Sequence, residues 1–382
     1  MSGVITASVR RRLVRSLVMM LTLGLGVHLL LPQLAGLQAT GEAIARASWW
    51  LLPAVVLLEA ASLAAYGRLL LTLLMRAGAS VGEGFVQRTV LVGNAVGRAL
   101  PASTGAAFAL MLDGFRRRGL DPATTGTAMW AASLLSSATL GLLLPVGAVL
   151  GMLGGHLGGV GVSTVVVAIA VVAVTAFAPV ALHDPDAFAD RVGELVGRYV
   201  PALLRRRLDP DALVAGLRRG AANLHDLARD RTVLKVAGAW AAANWLLDVV
   251  VVVVLAVTVG HGTPLSAILI AYVVAQFAAA VPLTPGGVGI VETAMIGVLV
   301  ASGAPAAAAT ATVLGWRLIS HWLPIPVGLA LIPTLRRRPT SRRRRRPGWL
   351  PPRLTRWLRH QAHQASSDED RVADDEQDSP PS

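Results

Sequence analysis

Six uninterrupted apolar segments, each long enough to cross a lipid bilayer as a helix, constrain this 382-residue chain more than any other feature. A bilayer core needs about 20 apolar residues in helical form. Charged residues make up only 15% of the chain, which excludes an ordinary soluble domain, where about 25% is typical. The sequence therefore predicts an all-α polytopic membrane protein. The predicted spans are residues 16–34, 49–74, 122–150, 160–180, 232–259 and 305–332.

Two further apolar stretches, residues 85–115 and 265–302, are broken near their middle. The first break is Leu-Pro-Ala-Ser-Thr-Gly at 100–105, and the second is Val-Pro-Leu-Thr-Pro-Gly-Gly-Val-Gly at 281–289. Each arm has about 13 to 17 residues, or roughly 20 to 25 Å of helix, which is short for a full crossing. We interpret both stretches as re-entrant helical hairpins beside six full transmembrane helices. Pairs of tilted full spans, giving eight to ten spans in all, fit the same pattern.

The distribution of Lys and Arg predicts the orientation in the membrane. Arg46 is the one basic residue outside the spans on the side opposite the N terminus, so the positive-inside rule places both termini in the cytoplasm. No convincing small-residue cleavage site follows the first span, which predicts an uncleaved anchor. The predicted domains are a basic N terminus at 1–15, a membrane domain at 16–333 with a cytoplasmic helical segment at 181–231, and a cytoplasmic tail at 334–382.

The tail carries its charge in two blocks. Eleven arginines and no acid lie between Arg336 and Arg359, and seven acids follow between Asp368 and Asp378. Such blocks are typically disordered. The basic block adjoins a membrane exit, so we expect it to bind anionic lipid headgroups. Nucleic-acid binding is not expected, because no folded reader module accompanies these arginines.

An internal repeat appears at a shift of 181 residues. Pro-Ala-Ser-Thr-Gly at 101–105 falls on Pro-Leu-Thr-Pro-Gly at 282–286, and Pro-Val-Gly at 145–147 falls on Pro-Val-Gly at 326–328. Two copies of a span–hairpin–span unit would have opposite orientations, an arrangement typical of secondary transporters. The alternative is chance recurrence in a chain with 38 Gly and 22 Pro. The predicted copies cover residues 49–150 and 230–331.

The broken helices predict a site for an anionic group. Backbone that leaves the helix inside a membrane must be buried in protein or line a wet cavity. A new helix begins near residue 106 and another near 288, and helix N termini favour anions, of which phosphate is the obvious membrane candidate. Ionisable residues at membrane depth are functional candidates by default. We favour a site role for Arg98, Glu292 and Arg317.

Internal ion pairing is the alternative role for these charged residues. It would hold the helix bundle together without contact to a substrate. We favour it for Glu59, Arg68 and Asp248, which lie in the paired spans.

Three blocks of the sequence resemble one known family. The most specific is Pro-Gly-Gly-x-Gly-x-x-Glu, within residues 280–292, and the others lie at 94–119 and 316–328. Together they resemble the lysylphosphatidylglycerol synthase transmembrane-region family, a flippase-like membrane domain. The resemblance covers roughly residues 16–335. It implies a polytopic inner-membrane protein with inverted halves that translocates a lipid between leaflets.

The family motifs also identify site residues by position. The combined substrate-binding prediction is Arg98, Pro101, Gly105, Pro282, Pro285, Gly286, Gly287, Gly289, Glu292 and Arg317. The chain departs from the family in residues 106–112, which lack the arginine that usually follows the first glycine, so headgroup contact by that arm is in doubt. Since 47 residues follow Leu335, we expect neither the soluble aminoacyl-transfer domain of bifunctional members nor lipid aminoacylation.

The leading hypothesis is a translocase for a phospholipid or a polyprenyl-phosphate-linked lipid. The alternative is a non-transporting membrane subunit that scaffolds a lipid or cell-envelope synthesis enzyme. An enzyme is not expected, because no catalytic constellation is visible, and neither a cofactor nor a metal is expected. A homodimer is compatible with either hypothesis.

Overall fold

The computed structural model describes residues 37–99, 104–154, 230–279 and 285–335. Within these ranges the chain is helical and contains no strand, which confirms the all-α prediction. Several predicted features lie outside the described residues. They are the spans at 16–34 and 160–180, the N terminus at 1–15, the cytoplasmic segment up to residue 229, the tail from 336, and the hairpin tips at 100–103 and 280–284.

Ten α-helices and three short turns make up the described part. The helices are α1 (Leu37–Ala45), α2 (Leu52–Arg76), α3 (Glu83–Ala99), α4 (Thr104–Arg116), α5 (Pro122–Leu153), α6 (Arg231–Val259), α7 (Leu265–Ala279), α8 (Ile290–Ala301), α9 (Ala306–Arg317) and α10 (Pro324–Leu335). The turns are 3₁₀ turns at Trp49–Leu51 and Pro285–Gly287 and a π-helical turn at Leu318–Trp322.

Four helices are long and apolar enough to cross a membrane. They are α2, α5, α6 and the continuous helix Ala306–Leu335, with 25, 32, 29 and 30 residues. At 1.5 Å per residue each exceeds a bilayer core of about 30 Å. Local chemistry sets their starts: Asp121 accepts a hydrogen bond from the Thr124 N–H before α5, and Asp230 accepts two before α6. The protein is therefore a multi-pass membrane protein.

The helices α2 and α6 form the centre of the bundle and run antiparallel. At one end the Ser48 N–H donates to the Thr258 carbonyl, and at the other Arg76 forms an ion pair of 3.1 Å with Asp230. Midway along the helices, the Ser62 hydroxyl donates to the backbone carbonyl of Asn244, whose side chain donates back. These contacts fix the two helices in register over their whole length.

Two helical hairpins pack around this central pair. α3 contacts α4, and α7 contacts α8; their arms have 17, 13, 15 and 12 residues. The first arm of each hairpin also packs on a membrane-spanning helix. α3 packs on α10, the last part of the helix Ala306–Leu335, and α7 packs on α5. Glycines make both contacts close, because a Cβ on Gly328 would lie 2.3 Å from the Leu91 carbonyl oxygen and one on Gly147 would lie 3.1 Å from the Leu269 Cβ. The arms are shorter than a bilayer core is thick.

Two apolar clusters of buried residues hold the bundle together, one along each half of α6. The first includes Val233 and Ala237 with the C-terminal half of α2, and the second includes Val252 and Leu255 with much of α7. Polar and charged residues of α2 and α6 lie between the two clusters. This arrangement places a polar layer near the middle of the long helices.

Candidate functional site

A cavity of about 410 Å³ occupies this polar layer. Residues from all six helices α2 to α7 line it, and those contributed by α2, α5 and α6 come from near the middle of each helix. In a helix that crosses a bilayer, the middle residues lie at about the midplane. The most polar residues of its wall are Glu59, Asn94, Arg98, Asn244, Asp248 and Gln276.

Two acidic side chains face the cavity from different helices. Glu59 on α2 is 4% exposed and Asp248 on α6 is 8% exposed. Asp248 accepts hydrogen bonds from the Tyr272 hydroxyl at 2.6 Å and from the Trp316 indole N–H at 2.8 Å. Both carboxyl side chains line the same cavity. The second oxygen of Glu59, Oε2, is buried without a hydrogen-bond partner.

Arg98 brings a positive charge to the same cavity from the end of α3. Its guanidinium donates to the backbone carbonyl of Ser320, in the π-helical turn. The sequence explains why this carbonyl accepts a side chain, because Pro324, four residues later, has no N–H to donate to it. Arg98 lines the cavity together with Glu59 and Asp248. Interrupted helices with π turns often mark functional sites.

Glu292 and Arg317 form a separate, closed ion pair. The Arg317 Nε lies 2.6 Å from the Glu292 Oε1, and the two side chains are 6% and 0% exposed. The other Glu292 oxygen accepts from the Gly289 N–H at 2.7 Å, which caps α8, and Arg317 donates to the Gly286 carbonyl at 2.8 Å. Neither side chain lines the cavity. The pair holds the start of the second hairpin's return arm against α9.

The glycines of the second hairpin adopt conformations that other residues rarely reach. Gly286, Gly287 and Gly289 have φ angles of 58°, 69° and 89°. A Cβ at Gly286 would lie 2.3 Å from the ring of His321 and 3.1 Å from the Arg98 carbonyl oxygen. The end of α3 and the turn of the second hairpin therefore meet at backbone contact distance.

The structure brings some of the predicted site residues together and leaves others apart. Arg98, Gly286 and Arg317 lie close to one another through the contacts above. Pro285 begins the 3₁₀ turn, and Gly105 lies exposed in the first turn of α4. Pro101 and Pro282 lie outside the described residues.

Sequence reasoning assigned the cavity acids a different role. Glu59 and Asp248 were expected in internal ion pairs, as was Arg68, which pairs with Glu83 at 2.8 Å. The sequence signal that could have assigned Glu59 and Asp248 to the site was their charge at membrane depth. Tyr272 and Trp316, which bind Asp248, were not singled out for the site.

No group of three or more His, Asp or Glu in the described ranges is arranged to hold a metal ion. The polar groups of the cavity are instead an arginine, amides and a carboxyl pair. Such a set recognises a polar or charged organic group by hydrogen bonds and charge.

Short helical hairpins that meet beside a polar cavity, within a bundle of long apolar helices, define a multi-pass membrane protein with an intramembrane polar site. The chain belongs to the family described as the lysylphosphatidylglycerol synthase TM region, whose model matches residues 13–328. This match confirms the family prediction. A search of curated proteins found no match to the chain.

Proposed function

We propose that this protein translocates a phospholipid or a polyprenyl-phosphate-linked lipid between the leaflets of the membrane. The headgroup occupies the cavity and the lipid tails stay in the surrounding bilayer. The observation that carries the proposal is a half-buried arginine, Arg98, in a polar cavity at the middle of helices that span the membrane. A charge at this depth is costly and is typical of a substrate pathway.

The size and chemistry of the cavity suit a phosphate-containing headgroup. A volume of about 410 Å³ lies within the range of about 300 to 1,000 Å³ of small-ligand pockets. The Arg98 guanidinium has five N–H donors, and arginine binds phosphate oxygens in a bidentate manner. The amides of Asn94, Asn244 and Gln276 add donors and acceptors for a glycerol or sugar hydroxyl.

We also propose that the two copies form an inverted repeat, which would support a transport mechanism. The equivalent helices of the two proposed copies, α2 and α6, run antiparallel. Gly147 and Gly328 are equivalent at the 181-residue shift, and each makes the close contact with the first hairpin arm of the other copy, Gly147 with α7 and Gly328 with α3. Such an exchange of contacts is expected of two inverted copies around a shared site, where rocking of one against the other alternates access.

The hairpins themselves support a shared headgroup site. Their arms of 12 to 17 residues are too short to cross a bilayer core, so we propose that both are re-entrant. Each hairpin then turns at membrane depth, and the contact between Gly286 and the Arg98 backbone at the end of α3 supports a site shared by the two hairpins. Polar backbone at that depth must be satisfied by protein or by a polar ligand.

The setting of the protein follows from the charges along its sequence. We propose an inner-membrane location with both termini in the cytoplasm. The arginines between Arg336 and Arg359 bind anionic headgroups at the cytoplasmic surface.

Reconstitution of the full chain into liposomes tests the proposal. Fluorescent phospholipids and polyprenyl phosphates are placed in one leaflet, and their movement to the other is followed by chemical quenching. We expect the protein to accelerate exchange of at least one lipid class. Arg98→Gln should abolish this acceleration, because it removes the charge that binds phosphate.

Arg46→Gln is the matched control, because Arg46 forms an exposed ion pair with Glu42. It should exchange lipid as the wild type does. Equal exchange by vesicles with and without the wild-type protein, for both lipid classes, would refute translocation and favour the scaffolding subunit.

A further inference from the structure

We propose that Glu59 and Asp248 form a proton-binding site facing the cavity, and that the site takes up one proton when an anionic headgroup binds Arg98. One part of this inference, the joint movement of a lipid anion and a proton, rests on the proposed function. The proton site itself rests on the geometry of the two carboxyl groups.

Glu59 and Asp248 are both buried in the wall of a cavity to which Arg98 contributes one positive charge. Two ionised carboxylates there would leave one negative charge without compensation, which is strongly unfavourable in a buried place, so we infer that one of the two groups holds a proton. Asp248 is the ionised partner, since Tyr272 and Trp316 donate to both of its oxygens. Glu59 carries the proton, since a neutral carboxyl group tolerates an unpartnered buried oxygen far better than a carboxylate does.

Among the described groups around Glu59 and Asp248, Arg98 is the cation that balances their negative charge. Tyr272 from α7 donates to Asp248 as a neutral phenol. Arg317 also interacts with Asp248, but the bound Glu292 already compensates its charge. α5 contributes the hydroxyls of Ser133 and Ser136 to the cavity wall. The pair with one proton has a charge of −1, and Arg98 has a charge of +1.

An anionic headgroup disturbs this balance when it binds. Its phosphate neutralises Arg98, so the negative charge of the Glu59–Asp248 pair remains in a buried place without compensation. Uncompensated buried charges are strongly unfavourable. A proton from solvent then binds Asp248, and both carboxyl groups become neutral. By linkage, headgroup binding promotes proton uptake and a low pH strengthens headgroup binding.

The consequence for transport is electroneutral movement. A lipid with one negative charge and one proton cross the protein together, so the membrane potential does no work on the pair. A proton gradient supplies the driving force and sets the direction. The energy source of the proposed translocase is thereby defined by two residues on the central helices.

The first test measures protons directly. Full-length protein in weakly buffered, neutral detergent is titrated with dihexanoyl phosphatidylglycerol, a soluble phosphodiester with one negative charge, and a pH dye records proton uptake. We expect about one proton per bound lipid for the wild type and a large reduction for Asp248→Asn, which removes the group that binds this proton. Glu59→Gln replaces a neutral carboxyl group by a neutral amide, so it should keep the uptake. The affinity for the lipid should rise by up to about tenfold for each unit of falling pH in the wild type and should not depend on pH in Asp248→Asn.

Controls separate this site from general effects. Asp113→Asn removes an acid that pairs with Arg117 at the surface of α4 and should leave proton uptake unchanged. Dihexanoyl phosphatidylcholine, which has no net charge, should cause little uptake. Infrared spectroscopy provides a readout without any lipid: the carbonyl band of a protonated carboxyl group should be present in the wild type and lost in Glu59→Gln.

The outcomes distinguish this inference from the proposed function. Lipid-linked proton uptake that Asp248→Asn abolishes supports the proton site, even where liposomes show no translocation. Translocation that neither a pH gradient nor Asp248→Asn changes refutes coupling and leaves translocation intact. A dependence on Na⁺ instead of pH, with no protonated carboxyl band, would identify an inorganic cation site and overturn the proposal.

Discussion

Replacing Arg317 by methionine tests the closed ion pair most directly. Met keeps a long apolar side chain but leaves the Glu292 carboxylate, which is 0% exposed, without its cation. Removing one partner of a buried ion pair costs about 3 to 5 kcal/mol. The Gly286 carbonyl also loses its donor, which adds about 1 kcal/mol. We therefore expect Arg317→Met to lower the free energy of unfolding by roughly 4 to 6 kcal/mol.

Glu292→Gln provides the complementary perturbation. The glutamine carbonyl can still accept from the Gly289 N–H and cap α8, so only the charge is lost. This variant leaves Arg317 unpaired and should cost about 3 to 5 kcal/mol. The double variant removes both charges, so we expect it to be more stable than the sum of the single losses by about 2 to 3 kcal/mol.

The assay is unfolding of the purified full chain from mixed micelles by increasing SDS, followed by circular dichroism. Asp113→Asn, at a surface ion pair, is the control and should change stability by less than about 1 kcal/mol. Single losses below about 1 kcal/mol that simply add in the double variant would refute a closed, buried pair.

Three further predictions concern packing, pH and capping, and unfolding measurements check each of them. Gly328→Ala should lower the free energy of unfolding by about 1 to 3 kcal/mol or more, because the new Cβ would lie 2.3 Å from the Leu91 carbonyl oxygen. At Gly238 a new Cβ would have no atom within 4 Å, so Gly238→Ala should be neutral or stabilising. His261 lies between α6 and α7, and partial burial lowers its pKa from the ordinary 6.5. The stability of the wild type should therefore fall as the pH drops below about 6.5, because the unfolded chain binds the proton more readily, and the fall should be smaller in His261→Gln. Asp230→Ala should lower the free energy of unfolding by about 0.5 to 2 kcal/mol, because it removes both the cap of α6 and the ion pair with Arg76. Unchanged stability would contradict the capping role.

The sequence predicted the long helices closely, for reasons visible at their ends. The apolar runs at 122–150 and 232–259 correspond to α5 (Pro122–Leu153) and α6 (Arg231–Val259). In both, an aspartate just before the run caps the helix, so the apolar pattern and the capping signal agree. By contrast α1 (Leu37–Ala45) was not predicted, since it is short and packs on the distant helix α9.

The contacts of the site could be predicted only in part. Arg98, Glu59 and Asp248 were singled out because charges at membrane depth are rare. Their partners depend on which helices meet in three dimensions, and Glu59 and Asp248 are far apart in the sequence. The link between Arg98 and Ser320 had a local signal in Pro324, which withholds a donor from that carbonyl.

Arg98 connects the proposed headgroup site to the packing of the hairpins. In the structure its guanidinium binds the Ser320 carbonyl on the last helix, and its own backbone carbonyl touches Gly286 of the second hairpin. A phosphate in the cavity competes with Ser320 for the same guanidinium, because charge-assisted bonds to phosphate are about twice as strong as bonds to a neutral carbonyl. If the headgroup binds there as we propose, we expect it to loosen the contact between the first hairpin and the last helix, while the Glu292–Arg317 pair keeps the second hairpin fixed. A translocase needs this difference, since one hairpin has to move relative to the other for the cavity to open on alternate sides.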